Sequence, residues 1–308
     1  MTPLKHSLFI LATLALFSCN TQNKQDNKAI AKVKTIKAVK TVNTIASKAP
    51  AFKPNKQFND YWYAGEAEIT SYQLDQSRYG ENRKGTAVLV FVTEPFLADT
   101  QVKADQNNPT NVNVLKLNST KKFNTGIYPY SIMQSTFYPI ANNQHAIKVS
   151  TSVQEWCGHV YTQLNNREQF QITSHSYFQG EADQKFNLDK AVLENQIWTQ
   201  LRIDPSSLPK DNFEIIPSLE FTRLTHAPLK SYNAFAESKP GQYTLTIKDL
   251  DRQLIINYNP EFPYQIHSWE DTQNGKTSKA TKLATLKTAY WNKKSNADLE
   301  LRKTLKLE

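Results

Sequence analysis

Cysteine is nearly absent. Only Cys19 and Cys157 occur in 308 residues, which excludes a disulfide framework and a four-cysteine zinc site. Glycine is scarce as well, at 8 residues, and none falls in a GxxxxGK[ST] or GxGxxG pattern. A P-loop nucleotide site and a dinucleotide-binding crossover both need such loops, so those classes drop out. Neither GxSxG nor HExxH is present, which removes the usual serine-hydrolase and zinc-protease signatures. The longest apolar run, Leu8 to Phe17, is too short for a transmembrane helix, which needs about 20 apolar residues. No cofactor is expected.

That short run has its own meaning. Lys5 followed by Leu8–Phe17 reads as a secretory signal over residues 1–18. Leu16-Phe17-Ser18-Cys19 resembles the bacterial lipobox, in which the cysteine is lipidated and becomes the new N-terminus. Cys19 is therefore the expected lipidation site and the membrane the first expected partner. Asn20 stands where the inner-membrane retention signal has aspartate, so the expected location is the cell envelope, at the outer membrane.

The net charge of +9 suggests nucleic acid at first sight, but its distribution argues against that. Residues 20–57 hold nine lysines and one acid, Asp26, whereas residues 58–308 balance 27 basic with 27 acidic side chains. The basicity belongs to a leader of Lys, Ala, Thr, Asn and Val that has too little apolar surface to order itself. Residues 19–57 read as a flexible tether, and no nucleic-acid partner is expected.

From Phe58 onward the patterning is that of strands. Residues 61–72 alternate with a period of two, with Glu66, Glu68 and Thr70 on one side. Gly80 and Gly85 mark a turn, and Thr86–Val92 is β-branched and apolar throughout, ending at Pro95. Further strands are expected at 112–117, 127–138, 146–153, 160–164, 170–178, 213–216 and 219–224. The pair 243–247 and 254–258 reads as a hairpin. A second hairpin turns at Asn274-Gly275. One main helix is expected from an Asn187 cap through Leu188, Ala191, Val192, Asn195, Trp198 and Leu201, ending before Pro205. Ser295–Asp298 resembles a capping box for a short C-terminal helix. The fold class is mainly β: a single antiparallel, strongly curved sheet, half-barrel or barrel, with that main helix and a short C-terminal helix over residues 58–308. A two-sheet sandwich, or two β subdomains joined near 205–212, are the alternatives.

Few residues suggest chemistry. Cys157 and His159 could form a thiol nucleophile and its base, although on one strand their side chains stand about 7 Å apart. His159, His175, Glu181 and Asp183 offer nitrogen and oxygen ligands for a metal, without tight spacing. Glu66 and Glu68 are a possible acid/base pair. Core packing and solvated turns are the plainer explanation of all of these. The aromatics Trp62, Tyr128, Tyr130, Tyr138, Trp156 and Trp198 are candidates to line an amphipathic ligand cavity, or else to fill a core.

Five segments carry a family resemblance: YWYAGEAEITSYQL (61–74), NSTKKFNTGIYPYSIMQSTFYP (118–139), QEWCGHVYTQLNNREQF (154–170), SHSYFQGEADQ (174–184) and SWEDTQNGKTSKATKL with AYW (268–291). Together they resemble an uncharacterised family of Gram-negative lipoproteins often labelled "septum formation inhibitor Maf". The resemblance implies an envelope lipoprotein. The SxSPRR-like motif of the Maf pyrophosphatases is absent, so no catalytic residue is carried over from them. A lipidated β-rich domain with an enclosing helix is also similar, at fold level, to lipoprotein carriers and receptors of the Lol type. The expected role is binding of a lipid or other amphiphile, or of an envelope protein. An envelope hydrolase using Cys157/His159 or a His/acid metal site is one alternative, and a septum or envelope assembly protein is another.

Overall fold

A computed structural model describes residues 51–308; the signal segment, Cys19 and most of the lysine-rich leader lie outside the described residues. The strands are β1 (Ala67–Arg78), β2 (Glu81–Leu97), β3 (Val102–Lys103), β4 (Val112–Thr125), β5 (Tyr128–Pro139), β6 (Lys148–Glu155), β7 (Gly158–Asn166) and β8 (Phe170–Ser176). They continue as β9 (Gln184–Leu188), β10 (Val192–Leu193), β11 (Asp211–Ile216), β12 (Tyr232–Lys239), β13 (Gln242–Ile247), β14 (Arg252–Tyr258), β15 (Ile266–Gln273) and β16 (Lys276–Thr288). Four helices accompany them: α1 (Lys56–Trp62), α2 (Glu194–Ile203), α3 (Leu219–Thr225) and α4 (Glu300–Thr304).

All 16 strands join one sheet in the order β10-β11-β12-β13-β14-β15-β16-β1-β2-β4-β5-β6-β7-β8-β9, with β3 on β2. The sheet is antiparallel except at β10–β11, and it does not close. Neither a sandwich nor two β subdomains is formed. The connectivity itself requires curvature. β9 and β10 are the two edges of the sheet, yet only residues 189–191 separate them in sequence. Four extended steps reach about 14 Å, whereas 15 strands laid flat would span roughly 65 Å. The sheet therefore curls until its edges face each other across the β9–β10 link.

The concave face holds the main core. Leu74, Leu89, Phe91, Leu117, Leu245 and Ile256 project inward from strands on both sides of β1 and meet Leu193, Ile197 and Leu201 of α2. Nine of the ten α2 residues are buried, including the polar Glu194, Asn195, Gln196, Thr199, Gln200 and Arg202. A helix buried all round is one enclosed by the sheet. Its polar side chains find partners: Asn195 Nδ2 donates to Gln134 Oε1 at 2.9 Å, and Gln196 Oε1 accepts from the Ala146 amide at 3.1 Å. On the convex side Leu305, beyond α4, packs with Ala67, Ile69 and Val92.

Several sequence expectations change. Residues 61–72 are not one strand. Phe58 and Trp62, four apart, bury the same side of α1, and Asn55 caps it by accepting from the Phe58 amide at 2.8 Å. The fold also reaches back beyond Phe58: the Phe52 amide donates to Ala141 O at 2.7 Å, and its ring lies 5.2 Å from Phe58. Asn187 caps no helix, because β9 pairs with β8 and places Asn187 opposite Gln171. Residues 219–224 form α3 instead of a strand; Ser218 Oγ accepts from the Phe221 amide and starts it. Gly85 lies inside β2, where a Cβ would stand 2.2 Å from Lys122 O, so glycine permits the close approach of β4. β2 also continues past Pro95, because its ladder with β1 has already ended at Phe91. The hairpins at 243–258 and at Asn274-Gly275 form as expected, the latter with positive φ at both turn residues.

Candidate functional site

Of the residues singled out for chemistry, only His175 and Asp183 meet. Cys157 is exposed in the two-residue turn between β6 and β7. Its amide donates to Glu155 Oε2 at 2.6 Å, and a hydrogen bond to the Glu155 carboxylate pushes the thiol pKa up, the opposite of an activated nucleophile. No hydrogen bond joins Cys157 to His159, which faces solvent. His175 Nδ1 pairs with Asp183 Oδ2 at 3.2 Å. Glu181 turns elsewhere, to Arg223 at 3.2 Å, His226 at 2.9 Å and Ser176 at 2.7 Å. No cluster of three or more metal-ligating side chains occurs among the described residues. Glu66 and Glu68 do not pair either, since Glu68 points into the interior and is wholly buried.

The six aromatic candidates divide likewise. Trp62 and Tyr138 are core: the Arg202 guanidinium stands 5.0 Å from the Trp62 ring, and Tyr138 Oη donates to Asn142 O at 3.1 Å. Tyr128 and Trp156 lie with their rings 6.4 Å apart at the β4–β5 and β6–β7 hairpin ends, and Trp156 is exposed. Tyr130 is buried and its hydroxyl bonds to Tyr79 Oη at 2.8 Å. Trp198 alone of the six lines the main cavity.

That cavity, about 400 Å³, lies on the concave face between β1, β2, β4 and β5 on one side, β14–β16 on the other, and α2 and α3. Pockets of this order hold one small-molecule ligand. Its apolar surface comes from Leu89, Leu117, Trp198, Phe221, Leu254 and Trp269. Trp198 and Trp269 meet edge to face with centroids 5.3 Å apart. Polar groups complete the wall, and each arrives by strand alternation: β1 turns Tyr72 and Leu74 into the core, and the same face continues as Gln76 and Arg78.

Two buried ion pairs hold the two ends of α2, and the first of them lies in the cavity wall. At the start of α2, Glu194 accepts from Arg252 Nη1 and Nη2 at 2.5 and 2.8 Å, and Arg252 also holds Asp271 at 2.8 Å. At its end, Arg202 Nη1 and Nη2 donate to Glu68 at 2.7 and 2.8 Å. Acid at the N-terminus and base at the C-terminus both complement the helix dipole. Burial alone would raise the Glu68 carboxyl, but the Arg202 charge and its hydrogen bonds outweigh this and hold it below the ordinary carboxylate value. Glu194 Oε2 also accepts from the Ser218 amide at 3.1 Å and so positions α3. Glu220 of α3 pairs with Lys121 at 2.7 Å and accepts from Gln134 Nε2 at 2.8 Å.

Two cations remain. Arg78 donates to Leu224 O, to Tyr79 Oη at 3.1 Å and to Tyr130 Oη at 3.3 Å, and its Nε is buried without a partner. Lys276 is exposed at the cavity rim, with its Nζ 3.3 Å from where a Cβ on Gly80 would stand. Among the described residues neither has an acidic partner. Burial works against it, yet the bond to Tyr130 and the Arg78 charge hold the Tyr79 hydroxyl below its ordinary pKa. Gln76 is buried too; its Nε2 donates to Ser278 Oγ at 3.0 Å while its Oε1 has no partner. Sequence reading missed Gln76, Arg78, Lys276, Glu194 and Arg252. The signal for the first two was polar residues on the inward parity of β1; the others depend on pairings far apart in the chain.

No known protein-family model matches this sequence, and no curated protein matches it. Among solved structures, a beta-barrel-like protein of domain of unknown function DUF1849 from Brucella abortus is similar at 6% identity, covering 72% of this chain and 98% of its own, with a TM-score of 0.43. A likeness of that size carries no argument about function.

Proposed function

We propose that this protein is a lipid-anchored envelope protein whose half-barrel binds a small amphiphile. The observation that carries the binding reading is the cavity of about 400 Å³ with an indole-rich apolar wall and unpartnered polar atoms on Gln76 and Arg78. The anchor rests on the lipobox-like Leu16–Cys19 and the outer-membrane placement on Asn20. Tryptophan fluorescence tests the binding reading, because Trp198 and Trp269 flank the cavity. Titration of the full chain with a single-chain amphiphile such as 1-decanol is expected to give a saturable change that a Trp198→Phe, Trp269→Phe variant largely loses. No saturable change with any amphiphile would overturn it.

A second reading, docking of an envelope protein, is favoured by the exposed aromatics Trp156 and Tyr177 beside the β6–β7 turn. Replacing both with Ser would separate it, abolishing partner capture and leaving amphiphile binding intact.

A further inference from the structure

The cavity wall is divided by polarity. Its apolar part includes Leu117, Leu254 and the edge-to-face pair Trp198 and Trp269. Its charged groups are mostly neutralised within the protein: Lys121 by Glu220, and Arg252 by Glu194 and Asp271. Arg78 and Lys276 are the exceptions, with no carboxylate partner among the described residues. Both lie beside the β1–β2 turn: Arg78 ends β1, and the Lys276 amine stands against Gly80. Two positive side chains held together raise each other's energy unless an anion joins them. Gln76, two residues along the same strand face, adds a buried polar side chain to that wall.

Building on the amphiphile reading, we infer that the ligand carries a carboxylate or phosphate head, bound by Arg78 and Lys276, and an apolar tail against Trp198 and Trp269. An oxyanion suits these groups because a hydrogen bond between ions is about twice as strong as one between neutral partners. The cavity volume fits one slender chain, not the several acyl chains of a whole lipoprotein.

The test compares ligands on the full chain at pH 7 by tryptophan fluorescence. The probes are decanoate, decyl phosphate, 1-decanol and inorganic phosphate. Decanoate and decyl phosphate are expected to bind about tenfold tighter than decanol, and inorganic phosphate far more weakly. Lys276→Gln, at an exposed rim position, is expected to reduce the preference for the anions about threefold. Arg78→Gln with Lys276→Gln is expected to bring the preference close to one. Thermal unfolding checks that each variant is folded; should the Arg78 change unfold the protein, Lys276→Gln alone decides. Decanol binding as tightly as the anions in the unchanged protein would overturn the anionic head while the amphiphile reading stands. Inorganic phosphate binding as tightly as decyl phosphate would reveal a free-anion site and overturn the role of the tail. Failure of every probe, decanol included, would remove the amphiphile reading itself and this inference with it.

Discussion

Arg202 and Glu68 face each other through two parallel hydrogen bonds of 2.7 and 2.8 Å, with both side chains shut off from solvent. One belongs to the enclosed helix and the other to the central strand of the sheet. The Tyr61 hydroxyl, from the last turn of α1, donates to the same carboxylate, and Arg202 Nε donates to Pro263 O at 2.9 Å. The pair thus ties α1, α2, β1 and the 259–265 loop at one point. With Glu194–Arg252 at the other end, α2 is held at both termini, and the cavity beside Trp198 keeps its shape.

Removing one partner of such a pair leaves a buried charge alone. Arg202→Met is expected to cost about 3–5 kcal/mol, whereas Arg202→Met with Glu68→Leu recovers most of that loss. Urea unfolding of the three proteins measures this. A single-variant cost below about 1 kcal/mol would show that solvent reaches the pair.

The same pair sets an acid limit. The folded-state pKa of Glu68 is lowered, so its contribution is fully present above the unfolded value of roughly 4.3 and is lost as pH falls through the depressed folded value. Stability of the unaltered protein is expected to fall more steeply between about pH 4 and pH 2 than that of the Glu68→Leu, Arg202→Met protein. Parallel pH profiles would contradict this assignment.

Gly85 is a test of the fold. A Cβ there would lie 2.2 Å from Lys122 O and 2.8 Å from Phe123 Cβ, both parts of the neighbouring strand. Gly85→Ala is expected to destabilise by about 1–3 kcal/mol through forced strand separation. An unchanged midpoint in urea would mean that β2 and β4 do not pair in this register.

How much of this was legible in the sequence depends on the range of the interaction. The hairpin at Asn274-Gly275 and the capping box at Ser295–Asp298 are local, and the residues announce them. Trp198 was legible as part of a helical stripe, and only the tertiary structure sets it on the cavity wall. α3 was hidden because Leu219–Leu224 is apolar and short, the case in which strand and helix patterns coincide. The start of α2 was hidden because β9 takes Asn187 into a ladder, a pairing no local propensity reveals. Glu68–Arg202 and Glu194–Arg252 join residues 134 and 58 positions apart, and a single sequence carries no sign of either. The curl was signalled by strand number alone; the three-residue link between the sheet's two edges was not.

Cys157 supplies a prediction about reactivity. Its thiol is exposed but its pKa is pushed up by the Glu155 carboxylate. Alkylation by iodoacetamide is expected to be slower at pH 7 than for a free cysteine and to rise with pH to a midpoint above the ordinary value. Glu155→Gln should speed it at neutral pH. Fast labelling at pH 6 would mark an activated thiol and revive the nucleophile reading.

The occupancy of the cavity is decided most directly by native mass spectrometry of the full chain carrying Cys19→Ser, which removes the expected lipidation site, purified without detergent. One amphiphile per chain is expected, and it should be missing from a Ser119→Trp variant, in which the indole fills the space that Ser119 now borders. A bare chain mass, with no amphiphile taken up on addition and no difference between the two proteins, would contradict a ligand-binding cavity.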